Sequence, residues 1–293
     1  MALPLQCNDD REQEQRKALS RDFHFTDKDF NFIRALVAEK TGIVLSDAKR
    51  DLVYGRLSRR LRQLGIKRFA DYCRLLQDGD EDEMVQFTNA ITTNLTSFFR
   101  EAHHFDYLGA TLLPTLEKEK PNRKIRIWSA GCSTGEEPYS ISMTIKEKCP
   151  RLAGWDLKIL ATDLDSNVLA KAQAGIYEHS RVEDLSRERL RRWFRKGRGV
   201  NEGSAKVSAE LQELITFRQL NLMQEWPMQG PFDVIFCRNV VIYFDKATQR
   251  TLFNRYADLL VDGGHLFVGH SESLFKVTDR FELIGKTVYR KRY

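Results

Sequence analysis

The residues best placed to do chemistry come in four groups. The first is the run Ala130-Gly131-Cys132-Ser133-Thr134-Gly135, which follows a short alternating segment, Lys124-Ile125-Arg126-Ile127-Trp128. Small residues in such a turn let the backbone approach a ligand at the carboxyl end of a strand. The turn is neither a GxGxxG nor a Walker A, which closes on Gly-Lys-Ser/Thr. Glu136 and Glu137 come next. Carboxylates there repel a pyrophosphate and suit a cationic or neutral ligand. A tight turn capped by acids is the purely structural alternative. The second is Asp163, which ends the strand-like segment Leu157-Lys158-Ile159-Leu160-Ala161-Thr162. An acid at that place can hold the hydroxyls of a nucleoside ribose, or cap the next helix. The third, Cys237-Arg238-Asn239-Val240-Val241-Ile242-Tyr243-Phe244, follows the apolar run 232–236 and brings Arg, Asn and Tyr to the same mouth. A salt-bridged arginine and a buried tyrosine would also account for it. The fourth, residues 89–101, is dense in hydroxyls and amides, and reads equally as a capping-rich connection. His103-His104 lacks the i,i+4 spacing of a helical metal pair, so no metal is expected from it.

The elements that position these groups follow from periodicity. Thr26 and Asp29 form a capping box with Asp in the Glu position, and Phe30, Ile33 and Val37 recur at helical spacing up to Gly42. Further helices are predicted over 46–64, 69–76 and 81–91, with Gly65 and Gly79 as stops. Residues 23–90 thus read as an all-helical domain after a polar tail, 1–22, expected to be frayed. A segment and helix over 91–122 lead to a second domain, 123–293. There, strands at 124–128, 157–163, 215–220, 232–237 and 265–268 alternate with helices at 136–148, 166–174 (capped by Ser166) and 246–260. This is the pattern of βαβ units and a mostly parallel sheet, closed by a hairpin over 281–290. The stretch 176–214 breaks the alternation. It contains a charged helix, predicted over 183–195, and the glycines Gly197, Gly199 and Gly203, and reads as an inserted subdomain with a small antiparallel sheet.

Composition excludes several classes. The chain has 293 residues, 47 Lys+Arg against 41 Asp+Glu, and a net charge of +6, which is basic but far from a polybasic nucleic-acid binder. No apolar run approaches the roughly 20 residues that span a bilayer. The start of the chain is polar and has no secretory leader pattern. Five cysteines without a CxxC spacing argue against a disulfide framework or a zinc ribbon. A cytoplasmic protein is expected.

Taken in order, five motifs carry a resemblance. They are residues 92–101, Ser133-Thr134-Gly135-Glu136-Glu137-Pro138-Tyr139-Ser140, Ala161-Thr162-Asp163-Leu164-Asp165, residues 236–244, and Gly269-His270-Ser271-Glu272. The sequence from about Phe25 to Tyr289 resembles the CheR family of chemotaxis receptor methyltransferases. The resemblance implies an α/β fold: a Rossmann-like domain for S-adenosylmethionine (AdoMet) with an inserted β-subdomain, after an all-helical N-terminal domain. It implies transfer of a methyl group to glutamate side chains of chemoreceptors, with S-adenosylhomocysteine as the other product. Cofactor contacts carry over to Asn94, Thr96, Arg100, Glu137, Asp163, Asn221, Leu222, Arg238 and Asn239. Arg100 and Tyr243 are the candidates for orienting the acceptor carboxylate. AdoMet bears a sulfonium and an ammonium but no phosphate, which suits the acidic turn.

The resemblance also gives the charged helix a role. Over 46–64, Val53, Leu57, Leu61 and Leu64 share one face, with Arg56, Arg59 and Arg62 largely opposite and Lys49 and Arg60 at an edge. A solvated face is the plain reading. The family reading makes Arg56, Arg59, Arg60 and Arg62 a docking face for the acidic helical bundle of a receptor. Nucleic acid is not expected as a partner, because no aromatic stripe accompanies the arginines. Gly197, Gly199 and Gly203 match glycines of members that tether a receptor's C-terminal peptide by strand addition. A monomer is expected, recruited to receptor arrays and not inserted in the membrane. An AdoMet-dependent N-methyltransferase or a non-catalytic AdoMet sensor are the competing readings. Asn239 lacks the Pro-Pro-Tyr that commonly follows Asn or Asp in the first.

Overall fold

The computed structural model describes residues 22–292, so all but Asp22 of the polar tail lies outside the described residues. The chain forms two compact units, one ending at Ile91 and the other holding Thr92 onward.

The smaller unit is helical: α1 (Asp27–Thr41), α2 (Arg50–Leu64), α3 (Phe69–Gln77) and α4 (Glu81–Ile91). The capping box forms as its spacing dictates. Thr26 N donates to Asp29 Oδ2 at 2.9 Å and Asp29 N to Thr26 Oγ1 at 3.1 Å. Gly65 ends α2 in the left-handed region at φ 68°, where a side chain would be strained. A short 3-10 turn, Asp47–Lys49, precedes α2, so the helix proper starts later than its pattern suggested. Val53, Leu57 and Leu61 are buried with Phe69, Tyr72 and Phe87, whereas Leu64, at the last turn, is exposed.

In the larger unit, α5 (His103–Tyr107), a π-helical turn (Leu108–Leu112) and α6 (Leu113–Glu119) precede β1 (Lys124–Ala130). Then come α7 (Glu136–Lys148), β2 (Asp156–Asp163) and α8 (Ser166–Ala174). The insertion supplies β3 (Ile176–Glu178), α9 (Arg187–Trp193), β4 (Phe194–Lys196), β5 (Ser204–Val207) and α10 (Ala209–Gln212). The chain closes with β6 (Ile215–Gln219), β7 (Phe232–Cys237), α11 (Lys246–Leu259), β8 (Leu260–Val268), β9 (Phe281–Gly285) and β10 (Val288–Lys291).

Among the described residues, seven strands make one sheet in the order β6-β2-β1-β7-β8-β10-β9. The first five run parallel, and β10 and β9 close antiparallel. From β1 the chain winds outward to β2 and β6, then returns to β7 on the other side. The switch point therefore lies between β1 and β7, where open α/β sheets leave a crevice beyond the strand ends. Residues of β7 are buried throughout, as a central parallel strand requires.

Three expectations need correction. Asp165, not Ser166, caps α8: its Oδ1 accepts from Asn167 N at 2.9 Å and Val168 N at 3.3 Å. The charged helix is only Arg187–Trp193, because Ser186 caps it late and Phe194 turns into β4 to pair with Val207. Strand β8 begins at Leu260 and not His265; Gly263 and Gly264 lie inside it, where its register with β7 shifts. The insertion does form an antiparallel sheet, in the order β3-β5-β4.

Candidate functional site

A cleft of about 910 Å³, counting its open mouth, lies at the switch point. Asn94, Thr96, Arg100, Glu137, Asp163, Asn221, Leu222, Arg238, Asn239 and Tyr243 all line it. Residues scattered over some 150 positions thus converge because β1, β2 and β7 end side by side and residues 92–100 cross their tips.

The turn after β1 is held open by backbone geometry. Gly131 N and Cys132 N donate to Thr162 O at 2.8 and 2.9 Å. Gly131 has φ 86°, and a Cβ there would collide with Val240, so only glycine fits against the β7 loop. Ser133 N donates to Asp163 Oδ2 at 2.7 Å, and Asp165 N to Asp163 Oδ1 at 3.0 Å. Burial nonetheless pushes the Asp163 carboxyl up to about 6.

The two acids opening α7 have different fates. Glu136 is fully buried, ion-paired with Arg181 and hydrogen-bonded by Thr134 at 2.6 Å. Glu137 faces the cleft. It accepts from Ser129 Oγ at 2.7 Å and from Arg238 Nη1 at 3.1 Å, and burial raises its pKa.

Arg238 is the hub of the cleft floor. Besides Glu137 it bonds the carbonyl of Arg100 and lies 3.5 Å from Glu101 Oε2. Its Nε and that Glu101 oxygen have no hydrogen-bond partner. Burial drives Glu101 upward, but His270 and Arg238 outweigh it and bring the carboxyl down to about 2. Arg100 Nη1 donates to Leu95 O at 2.9 Å, folding the 92–100 segment on itself. Asn94 Nδ2 and Thr92 Oγ1 both donate to Asp165 Oδ2, at 2.7 and 2.8 Å. Asn239 stands at φ 60°, a conformation uncommon outside glycine, and Tyr243 sits in the short turn that follows.

Sequence reading placed Glu101, Asp165 and Glu272 inside motifs without giving them a role, and did not single out Arg181. Asp165 was discoverable, since Asp caps helices as well as Ser does. Arg181 was not, because nothing local marks its partner 45 positions away. Ligand atoms of Glu101, His103 and His104 lie within 4.8 Å of one another through a bend that spacing rules do not cover. The Glu101 carboxylate there is shared with Arg238 and with His270 Nδ1 at 3.0 Å, so a cation would compete with an arginine.

The expected docking residues separate too. Arg59 is exposed, and Arg62 is half exposed and pairs with Asp22 at 2.5 Å. Arg56 bonds the carbonyl of Ile91 and so tethers the end of α4. Arg60 departs from the expectation: its Nε donates to both oxygens of buried Glu83 at 2.9 Å. It is turned inward, and leaves the docking set. Each tether glycine has a local reason. Gly199 and Gly203 have φ 58° and 84°, and a Cβ on Gly197 would collide with the Asn201 carbonyl.

Buried carboxylates that accept, a glycine turn lacking a phosphate fingerprint and an arginine N–H without a partner suit a ligand that carries cationic and hydroxyl groups together with an acceptor for the arginine. Comparison with known proteins agrees. The family model described as "CheR methyltransferase, SAM binding domain" matches residues 94–290, and "CheR methyltransferase, all-alpha domain" matches 28–92. The Chemotaxis protein methyltransferase of Escherichia coli (strain K12) is 45% identical over 267 residues, covering 90% of this chain and 91% of that one. Chemotaxis protein methyltransferase 2 of Pseudomonas aeruginosa is 45% identical over 273 residues, 92% of this chain and 95% of its own. The Borreliella burgdorferi Chemotaxis protein methyltransferase is 37% identical over 262 residues, 87% and 91% respectively.

Proposed function

This chain belongs to the CheR methyltransferase family, AdoMet-dependent methyltransferases, and from that premise we propose that it methylates glutamate side chains on the cytoplasmic helical bundle of chemoreceptors, as a cytoplasmic protein recruited to receptor arrays. The observation that carries the reading is the convergence of the motif residues on one cleft at the β1/β7 switch point.

Bound AdoMet supplies an electrophilic methyl group on a sulfonium. Glu137 and Asp163 provide the carboxylates for its cationic and hydroxyl groups, and Asn94, Thr96, Asn221, Leu222, Arg238 and Asn239 complete its walls. A glutamate acceptor is already ionised near neutral pH, with an ordinary pKa of about 4.3, and needs no general base. What remains for the chain is alignment and exclusion of water. Arg100 and Tyr243 are the groups at the cleft able to hold a carboxylate, by charge and by hydroxyl. On the helical unit, Arg59 and Arg62, with Arg56 beside them, offer positive charge to an acidic receptor helix. Docking of a receptor tail on the β3-β5-β4 sheet is a further expectation; calorimetry with receptor C-terminal peptides tests it, and no heat with any cognate tail removes it.

The deciding assay for the reaction uses tritiated AdoMet and receptor membranes. Label released by base as methanol is the expected result. Base-stable label would mean N-methylation, and no label with any receptor set would mean an AdoMet sensor.

A further inference from the structure

The motif Gly269-His270-Ser271-Glu272 has so far been given no task at the cleft. Glu272 is 4% exposed, in the turn after β8, and does not line the cleft itself. Its carboxylate accepts four backbone N–H groups. Oε2 takes Asn239 N at 2.8 Å and Gly269 N at 2.6 Å; Oε1 takes Val241 N at 2.9 Å and Ile242 N at 3.3 Å. Three of these donors belong to the loop after β7, the loop that carries Asn239 into the cleft and leads to Tyr243. A carboxylate suits the task because both its oxygens accept and neither offers a competing donor. The packing is tight on the other side as well: a Cβ on Gly269 would lie 2.9 Å from Asn239 N and closer still to its side-chain amide. Asn239 keeps its uncommon φ of 60° while clamped between these two groups.

We propose that Glu272 is a positioning residue for cofactor binding: it holds the loop after β7 in the shape that presents Asn239 to the cleft. The proposal rests on the reading of that cleft as the AdoMet site, and not on the identity of the methyl acceptor. Glu272→Gln in the full chain keeps the volume but must leave one pair of N–H groups facing an amide donor. The Kd and KM for AdoMet are expected to rise about tenfold, the size of one buried hydrogen-bond loss. The KM for receptor membranes should stay within twofold, which a general loss of structure would not allow. Gly269→Ala crowds Asn239 by a different route and should act in the same direction, so the test stands even if Glu272→Gln fails to fold. Asn239→Ala is the reference for the cleft itself. If it weakens AdoMet binding while Gly269→Ala and any folded Glu272→Gln protein bind within twofold of wild type, the positioning role is overturned. Equal rises in KM for AdoMet and for receptor would overturn it too. If Asn239→Ala binds AdoMet normally, the reading of the cleft fails first.

Discussion

Two arginine–glutamate pairs, one in each unit, differ in how completely they are satisfied. In the helical unit, Arg60 grips Glu83 with Nε and a terminal nitrogen, and Tyr72 Oη donates to the same carboxylate at 2.7 Å. In the sheet unit, Arg238 is divided among Glu137, Glu101 and a carbonyl, and its Nε and Glu101 Oε2 remain without a hydrogen-bond partner. The first pair is closed and fastens α2 to α4. The second keeps unmet capacity next to a cleft. What distinguishes Arg238 is that it also lines the cleft, where a ligand could meet that capacity.

The contrast can be broken by mutation. Arg100→Ala should have the largest effect on the rate, lowering methyl transfer about a hundredfold, as loss of a charged orienting group does. Single-turnover transfer to receptor membranes measures it, and unchanged transfer together with unchanged AdoMet binding would remove Arg100 from the mechanism. Next, Arg238→Met strands Glu137 in the interior and should cost about 3–5 kcal/mol in urea unfolding, along with AdoMet binding. Adding Glu137→Gln should restore part of the stability but not the binding; recovery of both would make the pair purely structural.

The helical pair should respond differently. Arg60→Met should cost about 2 kcal/mol, less than a fully buried pair because Arg60 is partly exposed, without changing AdoMet affinity. Arg59→Glu, on the exposed face, should leave stability within about 0.5 kcal/mol. It should weaken receptor methylation several-fold at low salt, and less at high salt. Equal loss at both salt concentrations would argue against electrostatic docking.

A pH dependence sharpens the role proposed for Asp163. Burial raises its carboxyl to about 6 in the unliganded protein. On the proposed role of Asp163, a ribose hydroxyl would donate to the ionised form, so affinity should be full above that value and fall as pH drops through it. From a pKa near 6, binding at pH 5 should be about tenfold weaker than at pH 7.5. Asp163→Asn should bind weakly with a flatter profile, as calorimetry at several pH values would reveal. The same shift has the opposite sense for the folded, unliganded chain. A carboxyl raised on folding binds its proton more tightly in the native state, so this group's contribution to stability is full below its unfolded pKa and declines as pH rises towards 6.

Much of this architecture is legible in local residue patterns. Helix α4 and strand β7 run between the residues that periodicity selects, because an amphipathic stripe and an apolar run broken only by Asp233 state their own geometry. Capping and stopping residues such as Thr26 and Gly65 act within one turn of chain. The failures share a cause. Phe194 leaves the helical pattern because Val207, thirteen residues on, offers a strand partner. Glu136 and Glu137 are alike in local pattern, and only the family resemblance singled out Glu137; in the structure Arg181 neutralises Glu136 while Glu137 meets Arg238 at the cleft. Arg59 and Arg60 are likewise adjacent, one exposed and one turned inward onto Glu83.

The amino-acid order alone therefore determined the element types, the parallel sheet, the motif set and the family they resemble, since these depend on periodicity and on residues a few positions apart. Only the tertiary structure decided which of two neighbouring charges is spent internally and which faces the cleft. It also decided that Glu272 clamps the loop that carries Asn239. A charge's role is set by its partner's distance and by the water it loses, and both quantities exist only once distant segments have packed together.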